Sequence, residues 1–276
     1  MISNIKINGF SLYVPNRSTI TNLLGLGSAT IDLATYNRGG RDGIVLGNRF
    51  YRQLSFTVEF VIQATNSVDL LEQRNRYLGQ LYPHTKRTVE FFLDDGSVRS
   101  CQALVTKVSA DTPPEQAGKW CQITVQFIAD KWYLEGAEHN QEIAMQDFGG
   151  MSVPMGVPMD MSICGISDNN NQIVNLGNTE SLPKFHITGP LTSFDILNQT
   201  NGQQMTVTTA LNTNEYIDLD CFDHTAIKNS VSNIRGSVSG NWITLVPGVN
   251  AIIFSANSPQ TEYRAEIIYF DAYLGI

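Results

Sequence analysis

The sequence has little charge, few cysteines and no long apolar run. Charged residues make up 16% of the 276 residues, against about 25% in an average globular protein. No two of the four cysteines form a CxxC pair, which excludes the common zinc and thiol-redox spacings: Cys101, Cys121, Cys164 and Cys221. We therefore expect buried, reduced thiols, with no metal and no cofactor.

The charge balance and the hydropathy also exclude whole classes of partner. The formal net charge is -8 and the pI is about 5.0, so the chain has no overall basic surface for nucleic acid or an anionic membrane. No window approaches the roughly 18 consecutive apolar residues of a membrane helix. The N-terminus, MISNIKINGF, lacks the basic-then-apolar order of a signal peptide. We expect synthesis in the cytosol, no nucleic-acid binding and no membrane insertion.

Catalytic and metal-binding motifs are incomplete wherever they begin. The GLGSAT stretch starts like a dinucleotide-binding turn but has Thr30 at the third glycine position, and GSVSG at 236–240 has Val238 where a nucleophile would stand. The aspartates of IDLDCFD (217–223) lack the glycine and glutamate of a calcium loop. The sequence alone does not exclude carboxylates that come together only in the fold and act as general acid and base. No motif supports an enzyme, however, and we predict no enzymatic activity.

Alternating apolar and polar residues predict β-strands along most of the chain. LSFTVEFVIQA (54–64) and the stretch from Cys121 to Phe127 each place apolar residues on one face, and Asp95-Gly96 is typical of a hairpin turn. The period changes at about 66–81, where a helix is predicted, capped by Asn66. Its expected apolar face is formed by Val68, Leu71, Leu78 and Leu81.

A change in composition divides the chain. Residues 134–165 hold five of the seven methionines with several glycines, which indicates a junction. Thioethers also suit copper, but no Cys or His repeats with them at short spacing. Beyond 166, short strands alternate with turn signals, as in a sandwich or barrel. We predict a mainly β fold of two domains, 1–134 and 166–276, joined by 135–165.

Several stretches in the same order along the chain carry a family resemblance. NLGNTESLPKFHITGP (175–190), GNWITLVPGVNAIIF (240–254) and EIIYFDAYLGI (266–276) resemble the second domain of the distal tail protein (Dit) family of long-tailed, siphovirus bacteriophages. The first half agrees, with a strand ending in NGF, then GLG, NRGGRDG at 37–43, Arg52 before LSFTVEF, and the helix. The Met-rich stretch at 145–164 departs from the pattern and leaves the domain border open.

The resemblance implies a structural hub of the phage tail tip. It implies an N-terminal β domain with one helix that forms a hexameric ring, and a C-terminal galectin-like β-sandwich that projects outward. Such a ring lies at the distal end of the virion tail, after assembly in the host cytoplasm. Its partners would be the tail tube protein, the tape-measure protein, tail-associated or baseplate proteins and, in some phages, a receptor-binding protein.

Two sets of residues are candidates for interaction. The GGRDG loop is one, with Arg41 and Asp42 as a charge pair and three glycines that allow close backbone approach between neighbouring subunits: Gly39, Gly40 and Gly43. Its alternative is an ordinary solvated loop. The other set is a carbohydrate platform on the C-terminal sandwich at Trp242 or Tyr216. The chain lacks the His-Asn-Pro-Arg run of galectins, so the resemblance extends to the sandwich and not to the sugar site.

Overall fold

The chain divides into two compact units. The structure is a computed structural model that describes residues 2–27, 29–82, 85–112, 118–143, 171–257 and 263–276. The N-terminal unit is Met1–Ala137 with Ala272–Ile276, and the C-terminal unit is Glu138–Asp271. Antiparallel strands dominate both units, so the predicted mainly β fold of two domains is confirmed. The predicted junction at 135–165 lies mostly outside the described residues, and its borders stay a prediction.

The N-terminal unit has one long strand, β8, that joins two sheets. The first part of β8 pairs with β7 and the second part with β9, which gives the strand orders β10-β8-β7-β1-β2 and β3-β6-β9-β8. The elements are β1 (Ile2–Ile7), β2 (Phe10–Ser11), β3 (Ser18–Leu24), β4 (Ile31–Asn37), β5 (Ile44–Tyr51), β6 (Ser55–Gln63), α1 (Ser67–Gln80), β7 (Arg87–Leu93), β8 (Val98–Asp111), β9 (Trp120–Ala129) and β10, which begins in this unit (Leu134–Glu142).

The core of this unit lies where the sequence predicts it. Every second residue of β6 is buried, as are the alternate residues of β9 opposite it. Phe56 on β6 packs against Phe127 with ring centroids 4.9 Å apart and against Phe91 at 5.5 Å. The predicted turn at Asp95-Gly96 joins β7 to β8, with Gly96 at a φ of 84°. The strict period of two therefore predicted these strands correctly.

The helix occurs where it is predicted, but its buried face is different. Asn66 caps it, since its side chain accepts a hydrogen bond of 2.9 Å from the backbone amide of Asp69. The predicted face is wrong at Val68 and Leu71, which are 65% and 54% exposed. Leu81 is buried as predicted, but Leu70 and Tyr77 are buried in place of Val68 and Leu71. The reason is Tyr77, whose hydroxyl donates to Ser18 at 2.8 Å and turns its own face of the helix inward.

The C-terminal unit is a β-sandwich around a second core. One sheet has the order β17-β16-β15-β12-β20 and the other β11-β19-β13-β14-β18, and buried residues of both form one apolar cluster. The strands are β11 (Asn171–Asn175), β12 (Lys184–Thr188), β13 (Ser193–Asn198), β14 (Gln203–Val207), β15 (Tyr216–Asp220), β16 (Thr225–Lys228), β17 (Ser232–Asn233), β18 (Val238–Gly240), β19 (Gly248–Asn257) and β20, which begins in this unit (Arg264–Tyr273).

The segment 173–188 connects the two sheets of the sandwich. β11 pairs with β19 in one sheet, whereas β12 lies between β15 and β20 in the other. The turn at Gly177 and Asn178 therefore belongs to a crossing between sheets and not to a hairpin. Phe185 and Ile187 are buried, as their alternation predicts.

Candidate assembly interface

Strands β4 and β5 form a hairpin with a large exposed apolar surface. Among the described strands they pair only with each other. The hairpin has eight large apolar side chains that are 45–68% exposed: Ile31, Leu33, Tyr36, Ile44, Val45, Leu46, Phe50 and Tyr51. We call residues 31–51 the apolar hairpin. Contiguous exposed apolar surface of this kind marks an interaction site.

Both faces of the apolar hairpin are apolar. Cross-strand partners share a face, and successive residues alternate between faces. By this register Leu33 and Leu46 lie on one face, whereas Phe50, Tyr36 and Val45 lie on the other. A Cβ at Gly47 would lie 2.7 Å from a ring carbon of Tyr36, so a larger residue at this position would displace the exposed Tyr36 ring.

The base of the hairpin is held by polar and aromatic contacts within the N-terminal unit. The Arg52 side chain forms an ion pair with Asp32 at 2.6 Å, and its backbone amide donates to the carbonyl of Thr30 at 2.7 Å. The Tyr51 ring is parallel to that of Trp132, with centroids 6.0 Å apart. These contacts fix where the hairpin leaves the unit, while its outer part remains exposed.

The predicted GGRDG loop is the tip of this hairpin. Gly40 and Gly43 have φ values of 69° and 98°, in the region that favours glycine. A Cβ at any of its three glycines would meet no atom within 4 Å, so the tip does not pack against the described part of its own chain. Arg41 and Asp42 form no ion pair with each other there. The structure thus brings the five predicted residues together at an exposed tip, and their contact with a neighbouring subunit stays a prediction.

Sequence reasoning missed the eight apolar residues on either side of the tip. The signal was present, because two apolar runs, IDLATY and IVLGNRFY, flank a Gly-rich turn. A period of two was not visible, since both faces of the hairpin are apolar.

The sheet β3-β6-β9-β8 has an unpaired edge on each side. Among the described strands β3 pairs with β6 alone, and the part of β8 beyond Leu104 pairs with β9 alone. Unpaired strand edges expose rows of backbone donors and acceptors that can pair with another chain. The N-terminal unit therefore offers two different edges for contacts between copies.

The predicted carbohydrate platform at Trp242 has its ring in contact with two side chains of its own chain. The ring of His224 stacks on it at 5.0 Å and 5°, and the guanidinium of Arg235 lies 5.0 Å from the ring centroid. Because a sugar ring stacks on a free aromatic face, this geometry favours a packing role for Trp242.

Tyr216 has a different environment, beside a groove with both charged and apolar lining residues. Its ring centroid is 5.0 Å from that of His186, and its hydroxyl is 2.8 Å from that of Ser230. His186 is 2.6 Å from Asp218, and Lys184 is 2.8 Å from Asp220. The adjacent groove has a volume of about 280 Å³ and is lined by these four charged or titratable side chains, by Thr225 and by apolar residues: Phe185, Leu219, Ile227 and Ile268. The structure does not place Tyr216 and Trp242 in one site.

The thiols and titratable groups give no further site among the described residues. Cys101, Cys121 and Cys221 are free and buried, and burial raises the pKa of Cys101 and of Cys221 to about 12. No group of three His, Cys, Asp or Glu side chains that could hold a metal occurs in the described ranges, nor does any helix there have the length and apolar character needed to cross a membrane. Cys164, His84 and the Met-rich stretch lie outside those ranges.

The fold and its surfaces define a class of protein: a two-domain, mainly β chain with an exposed apolar hairpin on the first domain and a β-sandwich as the second. Residues 176–273 match the family described as siphovirus-type tail component, C-terminal domain. The resemblance to the distal tail protein family is thus confirmed.

Solved structures extend the likeness in fold to nearly the whole chain. The chain is similar to the crystal structure of the SPP1 Dit protein (gp 19.1), described as a paradigm of the hub adsorption apparatus in phages that infect Gram-positive hosts. The TM-score is 0.68 at 13% identity, over 98% of this chain and 99% of that one. A second similar structure is the phage P2 baseplate in its activated conformation with Ca, with a TM-score of 0.46 and 11% identity over 97% and 98%. No curated protein matches the chain.

Proposed function

We propose that this protein is a structural hub of a siphovirus-type phage tail, located at the distal end of the tail in the virion. The observation that carries the proposal is the match of residues 176–273 to a tail-component family. The similarity in fold over 98% of the chain to a protein described as a hub adsorption apparatus supports it. The role is architectural and not enzymatic.

In this proposal the N-terminal units form a hexameric ring. A closed ring requires head-to-tail contacts, in which two different surfaces of each subunit meet its two neighbours. The two unlike free edges of the sheet β3-β6-β9-β8 and the protruding apolar hairpin support such contacts. The ring connects the tail tube protein to tail-associated or baseplate proteins, with the tape-measure protein in the channel and a receptor-binding protein as a further partner.

The mass and shape of the purified protein test the ring. We expect light scattering coupled to size exclusion to give a mass of six chains, and negative-stain images of the same peak to show a six-fold ring with a central channel. A monomer at every concentration would contradict self-assembly into a ring.

Reversing the charge of Arg41 tests the predicted loop. The tip makes no packing contact with its own chain, so Arg41→Glu should leave the fold intact and reduce the fraction of ring measured by size exclusion. Lys119→Glu, at an exposed site remote in sequence from the tip, is the matched control. Equal ring fractions for both variants and the wild type would remove the loop from the interface.

Carbohydrate binding by the C-terminal sandwich is the second candidate function. It is favoured by the charged side chains of the groove beside Tyr216, since sugars are bound by a stacking aromatic ring together with charged hydrogen-bonding groups. A glycan array with the full chain tests it, and Tyr216→Ala should abolish any signal. An array without signal for the wild type rejects this function.

A further inference from the structure

We propose that the groove beside Tyr216 binds an uncharged N-acetylated amino sugar, as one residue of a glycan. The proposal rests on carbohydrate binding, given above as the second candidate function, and deepens it, because it names the class of sugar. Three observations carry it: polar atoms in the groove that are available to a ligand, an isoleucine beside a carboxylate, and the negative charge of the C-terminal unit.

Two rows of cross-strand partners build the groove on one face of its sheet. From β16 through β15 and β12 to β20, the first row is Ile227, Asp218, His186 and Glu266, and the second is Thr225, Asp220, Lys184 and Ile268. The residues that alternate with them along the strands are buried in the core, so both rows lie on the outer face. The groove volume of about 280 Å³ is below the range of about 300–1,000 Å³ typical of pockets for drug-sized ligands. It therefore suits a single sugar ring.

Several polar atoms of the groove are available to a ligand. Asp218 uses Oδ1 in its 2.6 Å contact with His186, whereas its Oδ2 has no hydrogen-bond partner among the described residues, and the side chain is 49% exposed. Lys184 uses one of its three N–H donors for Asp220, at 2.8 Å. The hydroxyl of Thr225 also has no partner within the described ranges. An acceptor and several donors are therefore available for the hydroxyl and amide groups of a sugar.

An apolar side chain beside this acceptor selects an N-acetyl group. Ile227 is directly opposite Asp218 in the pairing of β15 with β16, and the Cβ atoms of such partners are about 5 Å apart. A hydroxyl placed against Ile227 would lose its hydrogen bonds to water. In a trans amide the methyl and the N–H lie on the same side. An acetamido group can therefore place its methyl on Ile227 while its N–H donates to Oδ2 of Asp218.

The charge of the C-terminal unit disfavours acidic sugars. Residues 138–271 contain 4 Lys or Arg and 14 Asp or Glu, which gives a formal charge of -10. Within the groove, burial opposes the ionisation of Asp220, but hydrogen bonds from Lys184 and from the backbone amides of Asp223 and Phe222 keep its pKa below the ordinary value. Lys184 is thus already paired with a carboxylate. A further carboxylate on the ligand would be repelled, so an uncharged sugar is preferred.

Saturation-transfer NMR with the full chain tests the class of sugar. The probes are N-acetylglucosamine, glucose and N-acetylneuraminic acid, which differ in the acetyl group and in charge. We expect the strongest signal at the acetyl methyl of N-acetylglucosamine. Titration should show glucose binding about tenfold more weakly, because it lacks both the methyl contact and the amide hydrogen bond. N-acetylneuraminic acid should give no signal.

Two substitutions, each with a matched control, test the groove. Asp218→Asn should weaken the binding of N-acetylglucosamine about tenfold, since a hydrogen bond to a charged group is lost. Asp223→Asn changes an exposed carboxylate outside the groove and should have no effect. Ile227→Thr should remove the preference for N-acetylglucosamine over glucose. Val249→Thr, at an exposed site on the other sheet, should keep that preference. Circular dichroism checks that every variant folds.

The outcomes separate the sugar class from carbohydrate binding itself. If glucose or N-acetylneuraminic acid binds as tightly as N-acetylglucosamine, the class is wrong and carbohydrate binding remains. If Asp218→Asn or Ile227→Thr behaves like its control, the groove is not the site. A glycan array that responds only to glycans with N-acetylated hexosamines supports the class, whereas a response only to other glycans overturns it. No signal from any probe, together with an array without signal, rejects both the class and carbohydrate binding.

Discussion

Asn250 is a buried polar residue near the start of β19, and its side chain stabilises the turn that precedes this strand. Its side-chain oxygen accepts a hydrogen bond from the amide of Val246 at 2.9 Å, and its side-chain nitrogen donates to the carbonyls of Val246 and Gly248 at 2.8 and 3.1 Å. The same oxygen accepts from Asn198, which is also fully buried, at 3.1 Å. One side chain thus satisfies three backbone groups of the turn at Pro247-Gly248, which is why asparagine follows this turn.

Replacing Asn250 with alanine should destabilise the C-terminal unit strongly. The change removes four hydrogen bonds made by a fully buried side chain, and the loss of buried hydrogen bonds costs about 1–3 kcal/mol. Urea unfolding of Asn250→Ala should show a free energy of unfolding lowered by that amount. Asn241→Ala, at an exposed position nine residues earlier, is the control and should stay close to the wild type. An Asn250→Ala variant as stable as the control would mean that the turn does not depend on these bonds.

At the level of elements, helix α1 gives a test of which face is buried. Leu70 is 6% exposed and belongs to the N-terminal core, whereas its neighbour Leu71 is 54% exposed. Tyr77 lies on the same face as Leu70, with its ring 5.0 Å from that of Phe10 in an edge-to-face contact. The helix is therefore attached through Leu70 and Tyr77, not through the face that apolar spacing alone favours.

Leu70→Ala should cost far more stability than Leu71→Ala. A buried leucine replaced by alanine loses about 2–5 kcal/mol through lost burial and the cavity left behind, while exposed substitutions change stability by about 0.5 kcal/mol or less. Thermal and urea unfolding of the two variants compare them directly, since both make the same chemical change on adjacent residues. Equal losses of stability, or a larger loss for Leu71→Ala, would contradict the burial of Leu70 and favour the helix face predicted from the sequence.

The elements that the sequence predicted well are those with one buried face. Buried and more exposed residues alternate along β6 and β9 because one side of each strand packs against the core. Apolar residues therefore recur with a period of two in the sequence. The family resemblance, in turn, rested on turns such as PGVN, whose asparagine has a specific structural task. These local constraints are visible without the fold.

The parts that the sequence did not predict depend on what surrounds an element. The apolar hairpin has two apolar faces, so no periodicity marks it as a strand pair. For the candidate sites, nothing in the residues around Trp242 shows that His224, 18 positions earlier, covers its ring. The crossing between β11 and β12 was equally hidden, because pairing with β19 and β20 is decided by strands far along the chain.

At the scale of the whole molecule, carboxylates held by hydrogen bonds occur in both units. In the N-terminal unit, the backbone amide of Thr65 is the main cause of a lowered pKa at Asp69, and the hydroxyl of Ser97 is the main cause at Asp95. In the C-terminal unit, the backbone amide of Asn212 lowers the pKa of Glu215. Asp95 is exposed, and the side chains of Asp69 and Glu215 are half-buried and still reach solvent, so each contributes modestly, but the contributions share one sign.

Stability should therefore fall in acid, and in both units. A carboxylate whose pKa is lower in the folded than in the unfolded state stabilises the fold at pH values above its unfolded pKa. That stability is lost as the pH falls through the folded value, because the unfolded chain then binds more protons. We expect a nearly constant free energy of unfolding above pH about 5 and a decline below about 4, measured by urea titration. The triple variant Asp69→Asn, Asp95→Asn, Glu215→Gln should reduce the slope of that decline, whereas Glu72→Gln on the exposed side of the helix serves as the control. An unchanged slope in the triple variant would mean that acid destabilises the fold through other carboxylates.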